Sequence, residues 1–545
     1  MLDTVQKKSE KLASSTDTIS GGVEKIDAEA VNSKTKRTLY ESRKKIHPKR
    51  VSGSFRRLKW WIMLVTLGVY YATPWLRWDR GPGAPDQAVL VDLANRRFYF
   101  FFIEIRPPEF FYVAGLLVMA GIGLFLVTSI LGRAWCGYTC PQTVWVDLYL
   151  VVERFFEGDR NARIKLDTAP WNAQKIAKRS AKHAVWLLIG IATGGAWIFY
   201  FADAPALAAD LFAGQAPTIA YITVAILAAT TYIFGGLMRE QVCTYMCPWP
   251  RIQAAMLDEH SLTVTYNAWR GESRSRHMKR MRREGQSAGD CVDCNACVAA
   301  CPMGIDIRDG QQLECITCAL CIDACDGVMS KLGLEKGLIS YSTLDDYTHN
   351  MHLAGATGST AELTSTAAYS RVDPQKVRGS AGKLIDAVRM TGWKSILRPR
   401  TYIYIAIFGS IGLALLTVLA MRDTLDVNVL HDRNPLFVKL SDGSVRNGFE
   451  IKILNMRGET RQFWIESPGL PNAMMKVAST SNKPAASLLV EVNADKLRGV
   501  KIFVTVPSGE LNQQRTPFAF RVTSLRGAET TETGATFEAP QEALK

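Results

Sequence analysis

Eight cysteines stand in two runs that share one spacing, Cys-x-x-Cys-x-x-Cys-x-x-x-Cys. The first run contains Cys291, Cys294, Cys297 and Cys301, and the second contains Cys315, Cys318, Cys321 and Cys325. In bacterial two-cluster ferredoxins, the last cysteine of each run binds the cluster held by the other run. The spacing therefore predicts one 4Fe–4S cluster on Cys291, Cys294, Cys297 and Cys325. It predicts a second on Cys301, Cys315, Cys318 and Cys321, and such a pair passes single electrons.

Zinc and disulfide bonds are the alternatives to this interpretation. A structural zinc ion needs four ligands, and two identical quartets of cysteine exceed that need. Disulfide frameworks belong to small secreted domains, whereas these cysteines lie within a large chain with apolar segments. Asp326 follows the second run where Pro302 follows the first. Proline is not a ligand, so the predicted ligand sets are unchanged.

A second set of four cysteines forms two Cys-x-x-x-Cys-Pro motifs, at Cys136 and Cys140 and at Cys243 and Cys247. Each motif follows an apolar segment. Each motif also has an arginine before it and a glutamine after it. These are Arg133 and Gln142 for the first motif, and Arg239 and Gln253 for the second. Cysteines four residues apart share one helix face, and the proline redirects the chain. Two such pairs predict a four-thiolate site at the membrane surface.

The chemistry of this second site stays open between several hypotheses. Four cysteines also pack as small apolar side chains. Soft thiolates favour Cu(I), zinc or a further iron–sulfur cluster, and a dithiol/disulfide relay is a further alternative. We favour a redox-active metal site, because the predicted clusters face it from the same compartment.

The elements that must position these cysteines are apolar and membrane-spanning. Five segments are predicted to cross the bilayer, namely Trp60–Leu76, Phe110–Gly132, Ala184–Ala202, Pro217–Met238 and Thr401–Met421. Residues 142–152, interrupted by Asp147, predict a helix along the membrane surface. The chain has 545 residues and a formal net charge of +14. Its basic residues gather beside the apolar segments, so the charge indicates a lipid bilayer and no nucleic acid as partner.

The predicted domains follow from this order. Residues 1–58 form a basic arm, mostly disordered. Residues 59–248 contain four spans and both Cys-x-x-x-Cys-Pro motifs, and residues 249–400 contain the ferredoxin domain at about 285–335. Span 401–421 leads to residues 422–545, where short alternating runs predict an Ig-like β-sandwich. The strand runs are Phe449–Leu454, Gln462–Ile465, Leu488–Val492, Val500–Val506 and Phe518–Thr523. The fold class is thus a multidomain membrane protein, an α-helical bundle with an inserted two-cluster ferredoxin domain and a C-terminal β-sandwich.

The charge of the loops predicts the orientation. Positive residues favour the cytoplasmic side, which places the arm, 153–183 and 239–400 in the cytoplasm and 203–216 and the tail outside. The loop 77–109 carries five arginines and is the exception. No glycine-rich nucleotide fingerprint stands in a strand–helix context. A separate cytoplasmic electron donor is therefore expected.

The order of these features resembles the cytochrome oxidase accessory family called CcoG, FixG or RdxA. The resemblance rests on the sequences CGYTCP and CTYMCP after apolar spans, the double ferredoxin run and the terminal β domain. It implies a multi-pass protein of the bacterial inner membrane that reduces Cu(II) to Cu(I) in the cytoplasm, with Cys136, Cys140, Cys243 and Cys247 as the redox site. It also implies a copper-export ATPase and assembly factors of cbb3-type oxidase as partners.

Two further hypotheses come from other functional classes. Paired Cys-x-x-x-Cys-Pro motifs also occur in the NapH and NosR proteins of nitrogen-oxide respiration, so an electron-transfer subunit fed by quinol is one alternative. An oxidase assembly scaffold, with structural clusters and an external binding domain, is the other. The sequence leaves the oligomeric state open, a homodimer included.

Overall fold

The computed structural model describes residues 18–19, 23–32, 44–81, 84–379, 383–392, 398–422, 424–479, 483–526 and 529–543. The chain divides into two compact units. One comprises Met1–Trp78 with Gln87–Leu413, and the other comprises Asp79–Asp86 with Ala414–Lys545.

The first unit contains both cysteine sets. In the described part of the chain, the α-helices are α1 (Ser54–Ala72), α2 (Phe111–Leu131), α3 (Pro141–Glu157), α4 (Arg160–Thr168), α5 (Ala173–Ile198), α6 (Ala204–Ala213), α7 (Thr218–Thr231), α8 (Trp249–Met256), α9 (Ala268–Gly271), α10 (Met278–Arg283), α11 (Ala296–Ala300), α12 (Leu320–Leu332), α13 (Leu344–Leu353), α14 (Thr360–Leu363) and α15 (Pro399–Ala420).

Four helices among the described residues are long and apolar enough to cross a membrane. They are Pro107–Leu131, Ala173–Ile198, Thr218–Met238 and Pro399–Ala420, and they coincide with the second to fifth predicted segments. The first predicted segment, Trp60–Leu76, forms most of α1 but is not among the four. The first turns of α1 carry Arg56, Arg57 and Lys59, which shortens its apolar part.

Buried ion pairs join α3 to its neighbours. Asp147 lies 2.9 Å from Lys59 Nζ on α1, and Glu153 lies 2.7 Å from Arg163 on α4 and 2.9 Å from Arg239. Breaking one partner of such a buried pair would leave an uncompensated charge, which is strongly destabilising. The predicted surface helix 142–152 thus extends over Pro141–Glu157, and its acidic residues face protein.

Strands are short in the first unit and long in the second. They are β1 (Thr18–Ile19), β2 (Val23–Glu24), β3 (Val89–Asp92), β4 (Arg97–Phe100), β5 (Ile103–Ile105), β6 (Thr263–Tyr266), β7 (Ile339–Ser342), β8 (Leu425–His431), β9 (Val438–Lys439), β10 (Val445–Asn455), β11 (Arg461–Glu466), β12 (Met474–Val477), β13 (Ser487–Val492), β14 (Leu497–Val506), β15 (Arg515–Ser524) and β16 (Thr530–Glu538). The loop 77–109 contains an antiparallel sheet in the order β3-β4-β5.

The ferredoxin region has a core of its own between α11, α12 and the antiparallel pair β6–β7. Parts of the basic arm pack on it. The backbone N–H of Ile26 donates to Cys294 O at 3.0 Å, and that of Lys49 donates to Ala299 O at 2.8 Å. The prediction of a mostly disordered arm is therefore wrong for residues 23–32 and 44–53, because their backbone groups bond to the cluster-binding loops. The other residues of the arm, apart from 18–19 and from 54–58, which begin α1, lie outside the described residues.

Two antiparallel sheets form the C-terminal unit. One has the order β12-β14-β10-β8, with β9 beside β10, and the other has the order β13-β11-β15-β16. All five predicted strand runs lie inside observed strands, β10, β11, β13, β14 and β15. Alternate residues of these strands are buried, and Phe449, Phe463 and Phe520 fill the core without exposure. The predicted Ig-like β-sandwich is confirmed.

We expect Phe449→Ala to destabilise this sandwich by about 3–5 kcal/mol, because a buried ring is lost and a cavity remains. The ring centroid of Phe449 lies 5.2 Å from that of Phe520 and 5.5 Å from that of Phe518. Hydrogen exchange of the full chain, read by mass spectrometry, should show faster exchange in β10 and β14. Trp464→Ala, which removes a ring 37% exposed on β11, is the control. Equal exchange in both variants would contradict this assignment of the core.

Candidate electron-transfer site

The first predicted quartet lines one small cavity. Four cysteines border it together with Tyr266 and Arg308, namely Cys291, Cys294, Cys297 and Cys325. Cys325 comes from α12 of the second run, as the crossed ligand pattern of two-cluster ferredoxins requires. The predicted exchange of the last cysteine between the runs is therefore compatible with the fold at this cavity.

The second predicted quartet borders a neighbouring cavity with apolar walls. Its cysteines are Cys301, Cys315, Cys318 and Cys321, and its other lining residues include Met303, Ile305, Ile307 and Ile316. Cys297 borders both cavities, so the two lie side by side. Clusters held here would be close enough for an electron to pass between them.

The two cysteine loops share a strained backbone. Asp293 and Asn295, which flank Cys294, have φ of 51° and 57°. Thr317 and Ala319, which flank Cys318, have φ of 50° and 60°. Successive residues in such conformations turn backbone N–H groups toward an anionic guest. Backbone hydrogen bonds accordingly reach the sulfurs of Cys291, Cys294 and Cys315.

The donor set fits an iron–sulfur cluster at each cavity. Burial raises the pKa of the thiol to about 12 at Cys301 and about 11 at Cys315, so both favour the neutral form without a cation beside them. Iron supplies that cation, since it is bound by thiolates. Among the described residues, no three His, Cys, Asp or Glu side chains converge tightly enough for a single metal ion.

Arg308 makes the two cavities electrostatically different. Its guanidinium is 7% exposed and donates to Asp293 Oδ1 and Asn295 Oδ1, both at 2.8 Å. Its charge favours the thiolate forms of Cys291, Cys294 and Cys297. The second cavity has no arginine among its lining residues. Cysteine spacing does not indicate which cation lies beside a cluster, so Arg308 could not be predicted from the sequence.

The two Cys-x-x-x-Cys-Pro motifs have the same backbone conformation. Each is a π-helical turn, Trp135–Thr139 in the first and Val242–Met246 in the second. The residue four positions before the first cysteine has a rare conformation in both, with φ and ψ of 56° and −123° at Gly132 and 46° and −112° at Arg239. The predicted internal repeat is therefore present in the backbone, and π-turns are frequent at functional sites.

The glutamine of each repeat bonds to the other repeat. Gln142 Nε2 donates to Phe234 O at 2.8 Å, in the span before the second motif. Gln253 Oε1 accepts from Cys136 Sγ at 3.0 Å, and Gln253 Nε2 donates to Thr128 Oγ1 at 3.2 Å. These reciprocal contacts hold the two motifs together.

The structure brings the four motif cysteines together. The pKa is raised to about 11 at Cys136 and to about 12 at Cys243, mainly by burial and also by the charges of other motif cysteines. Cys247 is exposed and Cys140 is half-buried. The arrangement is a mutually interacting thiol group, open to solvent on one side.

This thiol group lies against the second cavity. Cys136 and Cys243 belong to the same apolar cluster as Cys301, Cys315 and Cys318. Arg133 is buried and donates to Leu313 O. Its charge lowers the pKa of Cys136, Cys243 and Cys315, so one guanidinium serves both cysteine sets.

Changing Arg308 should change the reduction potential at the first cavity. The reduced cluster carries one more negative charge, so we expect Arg308→Gln to lower that potential and Arg308→Lys to keep most of it. An EPR-monitored redox titration measures both. Arg280→Gln removes a guanidinium that is 79% exposed and is the control. An unchanged potential in Arg308→Gln, or an equal shift in Arg308→Lys, would contradict the role of charge.

The contact between the first motif and the second cavity depends on a glycine. A Cβ at Gly137 would lie 2.6 Å from Ile316 O and 3.1 Å from Cys318 Cα, so Gly137→Ala must move one loop. We expect a smaller EPR signal from the second cluster and an unchanged signal from the first. Gly327→Ala, on α12 with no atom within 4 Å of the added Cβ, is the matched control. Equal signals in the two variants would contradict the contact.

Three protein-family models match separate parts of the chain. Residues 238–344 match the 4Fe–4S dicluster domain, and residues 113–157 match a 4Fe–4S binding domain. Residues 415–540 match the Ig-like fold at the C-terminus of FixG. The first match covers both predicted cluster quartets and the second motif, and the 113–157 match covers the first motif.

Curated relatives match over nearly the whole chain. Nitrogen fixation protein FixG of Rhizobium meliloti is 62% identical over 498 residues, 91% of this chain and 93% of the relative. Protein RdxB of Cereibacter sphaeroides is 50% identical over 90% of this chain and 94% of its own. Protein RdxA of the same organism is 48% identical over 86% of this chain and 91% of its own. With its apolar helices and ferredoxin-type cavities, the chain is a membrane iron–sulfur electron-transfer protein and belongs to the FixG/RdxA/CcoG family.

Proposed function

We propose that this protein reduces Cu(II) to Cu(I) at the cytoplasmic face of the bacterial inner membrane, for assembly of a cbb3-type cytochrome c oxidase. The observation that carries the proposal is the shared apolar cluster of Cys136 and Cys243 with Cys301, Cys315 and Cys318. It supports a direct path from the second cavity to a thiol group that is accessible from solvent.

The proposed path uses both cysteine sets in order. When bound, the two iron–sulfur clusters would be one-electron carriers. The residues of the two cavities hold those carriers side by side, since Cys297 borders both. Gly137 lets the first motif approach the Cys318 loop without a side chain between them. One electron from a cytoplasmic donor thus converts one Cu(II) ion at the motif to Cu(I).

The motif cysteines are suited to copper as the substrate. Thiolates are soft ligands and favour Cu(I) over Cu(II), which raises the driving force for reduction. The raised pKa values of Cys136 and Cys243 mean that copper binding displaces protons from these thiols. Exposed Cys247 gives the ion a first ligand at the surface.

The proposal includes an orientation and partners. The arm, the motifs and the ferredoxin region face the cytoplasm, with the β-sandwich in the periplasm. Cu(I) then passes to a copper-export ATPase and on to assembly factors of the oxidase, and a homodimer is compatible with this arrangement. Cysteine labelling in intact cells would check the orientation, with exposed Cys247 as the reporter.

Replacing Cys243 and Cys247 with serine tests the copper site. We expect cupric reduction by the chemically reduced protein to be lost, because serine is a poor ligand for Cu(I). The signals of both ferredoxin clusters should remain in EPR, with about eight iron atoms per chain from two 4Fe–4S clusters. Ser330→Ala, which leaves every cysteine in place, is the control. Unchanged reduction rates in Cys243→Ser/Cys247→Ser would show that copper is not reduced at this site.

A third iron–sulfur cluster on the four motif cysteines is the second candidate. The match of residues 113–157 to a 4Fe–4S binding domain favours it, as does the absence of a tight single-ion group among the described residues. The protein would then be an electron-transfer subunit of a quinol or nitrogen-oxide pathway. It would contain about twelve iron atoms per chain, and Cys243→Ser/Cys247→Ser would lower that count by about a third.

A further inference from the structure

A cavity of about 700 Å³ opens between the start of α1 and the end of α3. Four arginines line it, Arg50, Arg56, Arg57 and Arg154, and its lining includes no acidic residue. Small-molecule sites have volumes of about 300–1,000 Å³. The cavity is therefore large enough for a ligand, and its lining favours an anion.

The nearby carboxylates do not balance this positive charge. Asp147 lies 3.3 Å from Arg56, but it is shared with Lys59 at 2.9 Å. Asp323 accepts the backbone N–H groups of Phe55 and Arg56 instead of a side chain. Asp159 is the third carboxylate nearby. Five cations, the four arginines and Lys59, thus face three acidic side chains.

Arg154 is a mostly buried cation with little compensation. Its side chain is 17% exposed, and Nε lies 4.0 Å from Asp159 Oδ1 without a hydrogen-bond partner. Nη2 donates to Pro48 O at 3.3 Å. Burial and the charges of Arg56 and Arg163 lower the pKa of Arg154. A bound anion would relieve this repulsion and accept from the guanidinium.

The cavity continues into an exposed apolar surface. Trp60 and Phe155 line it and are 39% and 81% exposed, and the Arg56 guanidinium lies 4.7 Å from the centroid of the Trp60 ring. On the next turns of α1, Trp61 and Leu64 are 66% and 61% exposed. A ligand with an anionic head and apolar chains matches both surfaces, whereas inorganic phosphate would use the arginines alone.

We propose that this cavity binds the phosphodiester headgroup of an anionic phospholipid, with the acyl chains along the apolar face of α1. Basic pockets at the cytoplasmic ends of membrane helices bind such headgroups. The site is separate from the motif cysteines. Because α1 and α3 also share the Asp147–Lys59 ion pair, the lipid would join the same two helices from the membrane side.

Lipid binding by the full, cluster-containing chain tests the proposal without any copper assay. Native mass spectrometry from detergent would measure retention of phosphatidylglycerol and of phosphatidylcholine over a titration. We expect phosphatidylglycerol to be retained preferentially. Each arginine near a lipid headgroup contributes about 1 kcal/mol, which is about fivefold in affinity. Arg57→Gln should therefore weaken binding about fivefold, and Arg57→Gln/Arg154→Gln about thirtyfold.

A variant with two other charges removed is the control. Lys165→Gln/Lys178→Gln takes two charges from the same basic segment, and neither lysine lines the cavity. We expect it to bind phosphatidylglycerol like the unchanged protein. Retained EPR signals would show that each variant is folded. If the variant with Arg154 replaced does not fold, Arg57→Gln alone tests the proposal, because Arg57 is exposed. Equal weakening by the control, no weakening by Arg57→Gln, or full displacement of the lipid by inorganic phosphate would overturn the proposal.

Discussion

Twelve cysteine sulfurs in one membrane-bound unit set the main physical constraint on this fold. An ionised sulfur in an apolar interior costs several kcal/mol unless a cation or hydrogen-bond donors lie beside it. At the two cavities bound iron would supply the cation, and the chain itself provides backbone N–H groups turned by Asp293 and Thr317 and two buried arginines, Arg308 and Arg133. The loops, turns and helices around the sulfurs position these groups.

The repeats show how local backbone geometry solves the same problem twice. Both cluster loops place left-handed residues on each side of the central cysteine, and both membrane motifs place one four positions before the first cysteine. At Gly132 the small residue is required, because a Cβ there would collide with Leu262 O. At Arg239 the same conformation is held by buried bonds to Gly236 O and Glu153. One backbone geometry is thus stabilised by two different means.

Ligand spacing and strand alternation are local patterns, and the sequence predicted both well. The quartets, the motif repeat and five strands of the β-sandwich were found from them. Packing between segments that are distant in the sequence was not predicted. The arm residue Ile26 bonds to Cys294, and Met351 and Leu363 are buried in the ferredoxin core. Strand β16 was missed because its Thr and Glu residues lie on a mostly exposed edge, with only Phe537 buried.

The difference between the cavities gives the electron path a direction. Arg308 stabilises added negative charge at the first cavity, whereas the apolar walls of the second disfavour it. With clusters bound, an electron would therefore be more stable at the first cavity and would reach the second at a cost in free energy. Arg133 lowers that cost at Cys315, on the side that faces Cys136 and Cys243. The second cavity is thus suited to passing an electron onward. From there the electron would move to an acceptor that binds soft thiolates.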